Sequence, residues 1–229
     1  MDFKKKRWIC FIAGLIIISC NGFQYGLSVF QIQLSERYGW SITQTAAAFS
    51  VMSIIEFFAV LFLSNKLRKW LGFKKFMLTG GILFGLGILG CAFIRESTLE
   101  LYLYQGALIG IGNAIIYPGL TSYIIRIFPE KSGFANGMTV ACFACGPVIW
   151  APLSAYILES VGDVSLSFAI IGTSMLLLLI IMTMLLFEPP KSFVLGISSD
   201  DIKKSRLNES LYDVDIKGMV KKPSFICFI

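Results

Sequence analysis

Residues 42–63 read ITQTAAAFSVMSIIEFFAVLFL, residues 64–75 read SNKLRKWLGFKK and residues 76–94 read FMLTGGILFGLGILGCAFI. Two apolar runs thus flank one basic stretch. A hydrocarbon core of about 30 Å takes about 20 residues of helix at ~1.5 Å each, and lipid tolerates no unpaired backbone. Each run is long enough to cross as a helix, and the basic stretch joins them on one side. Runs of the same kind occupy about 8–34, 99–125, 134–158 and 165–187, which makes six spans. The chain reads as an all-α polytopic membrane protein, with 1–7 as a short N-terminal segment. Its 56% hydrophobic and 15% charged residues agree, as does a mean hydropathy of +0.76.

The basic residues set the orientation, because short loops rich in Lys and Arg stay in the cytoplasm. One side carries Lys4 to Arg7, then Lys66, Arg68, Lys69, Lys74 and Lys75, then Arg126 and Lys131, then the tail from Lys191 to Lys222. The other side has Arg37 and Arg95. Both termini are expected to be cytoplasmic. This bias, facing anionic headgroups, accounts for the net charge of +6 without a nucleic-acid partner. The basic start followed by a long apolar run, with no small-residue cleavage site over 21–34, reads as an uncleaved anchor.

Several chemistries drop out. The chain has no His, which intramembrane serine and zinc proteases need as base or ligand. Its Asp residues all lie in loops or termini, so an intramembrane aspartyl pair is absent and an enzyme is not expected. The cysteines lack metal-site spacing and lie in spans or, for Cys227, at the end of the chain. No metal and no cofactor are expected.

What remains polar inside the spans is sparse and periodic. Asn21, Gln24, Tyr25, Ser28 and Gln31 fall at i, i+3, i+4, i+7 and i+10, one face of a helix. Lipid does not favour that face, so it is directed into a bundle or a water-filled cavity. In the fourth span Gly106, Gly110, Asn113, Tyr117 and Thr121 form a second stripe, followed by Pro118 and Gly119. Asn21, Gln24, Tyr25, Asn113 and Tyr117 are the candidate lining of a substrate cavity; the same residues also fit interhelical packing. The i, i+4 pairs Asn21 with Tyr25 and Asn113 with Tyr117 each come early in a group of three spans, which fits two inverted three-helix repeats. Glu56 is the acidic residue deep in a span, about 12 Å from its end at ~1.5 Å per residue. A charge there costs on the order of 3 kcal/mol, so it is paired, protonated or facing water. Coupling to protons and fixing of helix packing are both open to it.

These residues carry a family resemblance. In its position, its Gly72 and its pair Lys74-Lys75, the stretch Asn65 to Lys75 resembles the cytoplasmic signature loop of the major facilitator superfamily. More narrowly, Phe23-Gln24-Tyr25, Glu56, Gly110-Ile111-Gly112 through Tyr117, and Phe128-Pro129-Glu130-Lys131-Ser132-Gly133 look like the oxalate/formate antiporter and monocarboxylate-transporter branch. The likeness covers about residues 8–190. It implies the N-terminal half of a carrier fold in the cell membrane, carrying a small organic anion, either a monocarboxylate or a dicarboxylate. It also implies a gating loop that includes Gly72, Lys74 and Lys75.

The departures qualify that. The family's loop opens on Gly and places an Asp and a basic residue before the central Gly; here those positions look like Asn65, Lys69 and Trp70, which puts the usual gating contact in doubt. Gly106 stands where many proton-coupled relatives have Arg, in agreement with the carboxylate branch. Gly146-Pro147 with Pro152 resembles part of an antiporter-type bending motif and fits an ordinary kink equally well.

After Phe187, Glu188-Pro189-Pro190 stops the helix, and 188–222 reads as a cytoplasmic loop or tail. Residues 223–229 begin another apolar run, seven residues long, and read as the truncated start of a seventh span. In the resembled family the cations that bind a carboxylate come from the second half. Besides the bilayer and its substrate, the chain is therefore expected to need a second half-transporter chain or a second copy of itself. A non-transporting fragment and a six-span scaffold or regulator acting through its tail are the alternatives.

Overall fold

A computed structural model of the chain describes residues 3–128 and 131–187, excluding the side chains of 3–5 and 65. The tail over 188–222, the segment 223–229 and the pair Pro129-Glu130 lie outside the described residues. Six helices are long and apolar enough to cross a membrane: α1 (Lys6–Tyr38), α2 (Ile42–Ser64), α3 (Lys66–Phe93), α4 (Thr98–Ile127), α5 (Ser132–Val161) and α6 (Val164–Met184). No strand occurs among the described residues.

Local chemistry fixes the helix ends. The α1 helix continues past Leu34 through Ser35-Glu36-Arg37-Tyr38 and stops at Gly39, whose φ of 68° only glycine adopts cheaply. Ser41 then opens α2 with a capping box: its hydroxyl accepts from the Gln44 N–H at 3.2 Å, and the Gln44 side chain accepts from the Ser41 N–H at 2.9 Å. The α1–α2 turn is tied to the end of α3, where Tyr38 donates to the Ile94 carbonyl at 2.8 Å and the Trp40 indole donates to the Glu96 carbonyl at 3.2 Å. At the other end of α3 the helical path breaks at Gly72 (φ 74°, ψ 166°), which separates the basic turns at 66–71 from the apolar span.

Asp163 caps α6, with Oδ1 accepting from the Leu166 N–H at 2.9 Å and Oδ2 from Arg37 Nη1 at 2.8 Å. The Leu166 N–H first, and the Arg37 guanidinium with it, hold this carboxyl below the usual carboxylate range. A folded-state pKa below the unfolded one contributes stability that is present above the ordinary carboxylate range and lost as pH falls through the folded value. Asp163→Ala is therefore expected to cost about 1 kcal/mol at neutral pH, the usual worth of a cap. The gap to wild type should close once acid protonates Asp163. Thermal unfolding in detergent across pH checks this; a gap independent of pH would refute it.

Burial separates the helices into inner and outer sets. The most apolar windows of α1 and α4 are 67% and 61% buried, against 17% for α2 and 11% for α5. Packing is reciprocal: α2 lies against α4, α5 against α1, and α3 against α6. That exchange is the pattern of two three-helix units, and since successive spans alternate in direction the second unit is inverted. Phe23, Phe30, Phe76, Phe84 and Phe168 fill the space between helices without exposure, and Phe30 meets Phe168 at 4.3 Å between ring centroids.

The α1–α5 crossing is backbone on backbone. A methyl group on Gly22 would collide with the Phe143 carbonyl and the Gly146 Cα, and one on Gly146 with the Gly22 Cα and the Ser19 carbonyl. Pro147 lacks the N–H that would otherwise bond the Phe143 carbonyl, so that oxygen is free to lie against Gly22. The α5 helix stays continuous through Pro147 and Pro152.

Candidate functional site

The polar side chains of the inner helices meet at Asn113. Fully buried on α4, it donates through Nδ2 to the Gln24 side-chain oxygen on α1 and, at 2.9 Å, to Glu56 Oε2 on α2. One amide nitrogen has two hydrogens, and both are used. Three helices are thereby joined at a single group, two of them inner and one outer. The approach of α2 to α4 depends on Gly110, where a side chain would strike the Met52 carbonyl. Asn113 Oδ1 and both amide atoms of Asn21, which is also fully buried, have no hydrogen-bond partner among the described residues.

Beside this bridge a cavity of about 290 Å³ is lined by Gln24, Tyr25, Leu27, Ser28, Gln31, Ala46, Phe49 and Gln105. Its α1 wall follows from backbone geometry. Residues 22–30 are wound as a 3₁₀ helix, whose three residues per turn stack Tyr25, Ser28 and Gln31 in one row and Gln24 with Leu27 in the next. Aromatic rings continue the wall: Tyr25 lies 5.8 Å from Phe49 and 5.7 Å from Phe143, and Tyr117 lies 4.8 Å from Phe143, between centroids. Tyr25, which lines the cavity, is 46% exposed, and Tyr117 is half-buried.

Of the residues singled out from the sequence, Gln24, Asn113 and Glu56 are thus in contact, and Tyr25 and Tyr117 both pack on Phe143. Of the five candidate lining residues, Gln24 and Tyr25 line the cavity, while Asn21, Asn113 and Tyr117 are not among its lining residues. Gly72, Lys74 and Lys75 belong to a separate groove at the basic end of the bundle.

Gln105, Phe49 and Phe143 escaped the sequence reading. Gln105 sits one position off the Gly106, Gly110, Asn113 stripe, but residues 102–109 are wound as a π-helix. The wider turn rotates the face that precedes Gly110, so Gln105 reaches the cavity while Gly106 meets Val51 on α2. Phe49 and Phe143 carry no polar signal and resemble any lipid-facing aromatic.

The bundle and its polar centre define a class: a six-helix membrane half-bundle of two inverted repeats with a buried hydrogen-bonding core. The family model of the Major Facilitator Superfamily matches residues 12–229, and the chain belongs to that superfamily. Among similar proteins, the "Uncharacterized MFS-type transporter YhjX" of Escherichia coli (strain K12) is 26% identical over 193 residues, covering 84% of this chain and 47% of that protein. Monocarboxylate transporter 3 of Rattus norvegicus is 31% identical over 142 residues, 58% of this chain and 27% of that one. "Probable anion transporter 3, chloroplastic" of Oryza sativa subsp. japonica is 28% identical over 152 residues, 65% and 29%. The chain spans about half or less of the length of these curated relatives. The names that these relatives carry are those of transporters, not of enzymes.

Proposed function

We propose that the chain carries a small organic anion, a monocarboxylate or dicarboxylate, across the cell membrane, with its N-terminus in the cytoplasm. The reading rests on the Asn113 bridge: a fully buried amide that ties Gln24 and Glu56 together next to an open, aromatic-walled cavity. The names of monocarboxylate and anion transporters among the relatives support the substrate class. Gln24 and Tyr25 contribute hydrogen bonds and a ring face to the substrate from the cavity wall, Asn21, Asn113 and Tyr117 support that wall from the bundle side, and Glu56 couples substrate movement to protons. No basic residue points into this half-cavity among the described residues, so the cation that neutralises a carboxylate comes from a second half bundle, another chain or a second copy. The outer helices α2 and α5, mostly uncovered, are where that half would pack. Gly72, Lys74 and Lys75 act at the gate on the cytoplasmic side.

Uptake of labelled lactate or oxalate by proteoliposomes tests the proposal. Wild type is expected to give saturable uptake that depends on pH, and Glu56→Gln to give uptake that does not. An unchanged rate with unchanged pH dependence in Glu56→Gln would end the coupling role, and absence of saturable uptake in wild type would end the reading of a carrier built from copies of this chain alone.

A further inference from the structure

The basic end of the bundle carries a second recognition surface, unconnected with the cavity. Lys66, Lys69 and Trp70 fall at i, i+3 and i+4 and are all exposed, Trp70 at 82%, while Leu67 and Leu71 on the opposite face pack on the core. An indole this exposed, with two lysines beside it on the same helix face, is unfavourable in water alone. It suits the headgroup layer of a bilayer, where indole rings settle at the boundary.

Just past Trp70 the chain turns at Gly72 and forms one side of a groove of about 410 Å³, lined by Leu71, Gly72, Phe73, Lys74 and Lys75 opposite Leu186 and Phe187. Its floor is apolar and its rim cationic: Lys74 and Lys75 are exposed, and Lys6 Nζ lies 5.3 Å from the Phe187 ring centroid. Lys74 Nζ also donates to the Met184 carbonyl at 3.3 Å, which holds it over the groove. The described carboxylates outside the membrane interior, Glu36, Glu96, Glu100, Glu159 and Asp163, are all at the opposite end of the bundle; Asp2, Glu130, Glu188, Asp200, Asp201, Glu209, Asp213 and Asp215 lie outside the described residues.

From this charge complementarity we infer that the groove between Gly72-Phe73-Lys74-Lys75 and the end of α6 binds the headgroup of an anionic phospholipid. Lys74 and Lys75 hold the phosphate, the lipid's upper chain lies along Leu71 and Phe187, and Trp70 anchors the flank at headgroup depth. The site shares no residue with the cavity; Gly72, Lys74 and Lys75 are the residues placed at the gate above, and lipid binding is read separately from uptake.

Quenching of tryptophan fluorescence tests it. The full chain is reconstituted in phosphatidylcholine, and brominated phosphatidylglycerol is titrated in, with brominated phosphatidylcholine as the comparison. Quenching that Trp70→Phe removes reports this site. Phosphatidylglycerol is expected to be preferred, and K74Q/K75Q to weaken it by roughly 30-fold, about fivefold for each lysine. K74R/K75R and, at the far end, Arg95→Gln should retain the preference. Equal quenching by the two lipids, an unchanged affinity in K74Q/K75Q, or its loss in K74R/K75R would overturn the inference. Displacement by inorganic phosphate would overturn it too, by making a free anion the ligand.

Discussion

Asn113→Leu should destabilise the bundle by about 2 kcal/mol, although the two side chains share the same branched skeleton of four heavy atoms. The substitution removes both hydrogens that Gln24 and Glu56 accept and leaves those acceptors facing an apolar group. Single hydrogen bonds in membrane proteins are worth about 0.6 kcal/mol on average and about 1.7 at most. Two bonds at one buried donor, one of them to an acid, lie toward the upper end. Glu56→Gln keeps an oxygen for Asn113 to donate to and is expected to stay within about 1 kcal/mol of wild type. Unfolding in mixed micelles of denaturing and mild detergent separates the two. Equal costs would mean that the amide is not the shared donor.

A larger effect is expected at Gly22. Its added methyl would meet the Phe143 carbonyl and Gly146 Cα, both backbone, so no side chain can swing away to relieve it. Overpacking of this kind costs typically 1–3 kcal/mol and occasionally more, and Gly22→Ala should reach about 3 kcal/mol by pushing α1 from α5. Since the 3₁₀ stretch begins at Gly22, that displacement would also disturb the wall carrying Gln24 and Tyr25. On the same α5 helix, Gly137 has no neighbour within 4 Å of an added methyl. Gly137→Ala should therefore be neutral or gain up to about 1 kcal/mol from helix propensity. The contrast within one pair of helices distinguishes a steric clash from a general intolerance of substitution.

The six-helix fold was legible because its signal is coarse. Apolar runs of spanning length separated by charged turns leave few alternatives, and the i, i+4 recurrence of Asn21 with Tyr25 and Asn113 with Tyr117 fits two inverted three-helix repeats before any contact is known. Regular 3.6-residue periodicity carried the reading only as far as the helices stay regular. On α1 the 3₁₀ winding over 22–30 sets Tyr25, Ser28 and Gln31 in one row and Gln24 with Leu27 in the next, which brings the apolar Leu27 to the cavity as well. On α4 the π-helix brings Gln105 to the cavity from one position off the stripe. Neither shift is written in residue type alone, because both arise where helices are pressed together at Gly22, Gly106 and Gly110. Glu56 stood out as an acid in a span, but its link to Asn113 required the crossing of α2 over α4.

Everything proposed for the polar centre depends on one amide being shared between α1, α2 and α4. A double-mutant cycle on Asn113→Leu and Glu56→Leu, read as unfolding free energies in bilayer-like micelles, measures that most directly. A coupling of about 1 kcal/mol, within the range for membrane hydrogen bonds, is the result expected, since the second substitution should cost less once the first has removed the bond. Costs that simply add, to within about 0.3 kcal/mol, would mean that the two side chains do not meet and would contradict the arrangement from which the carrier reading is drawn.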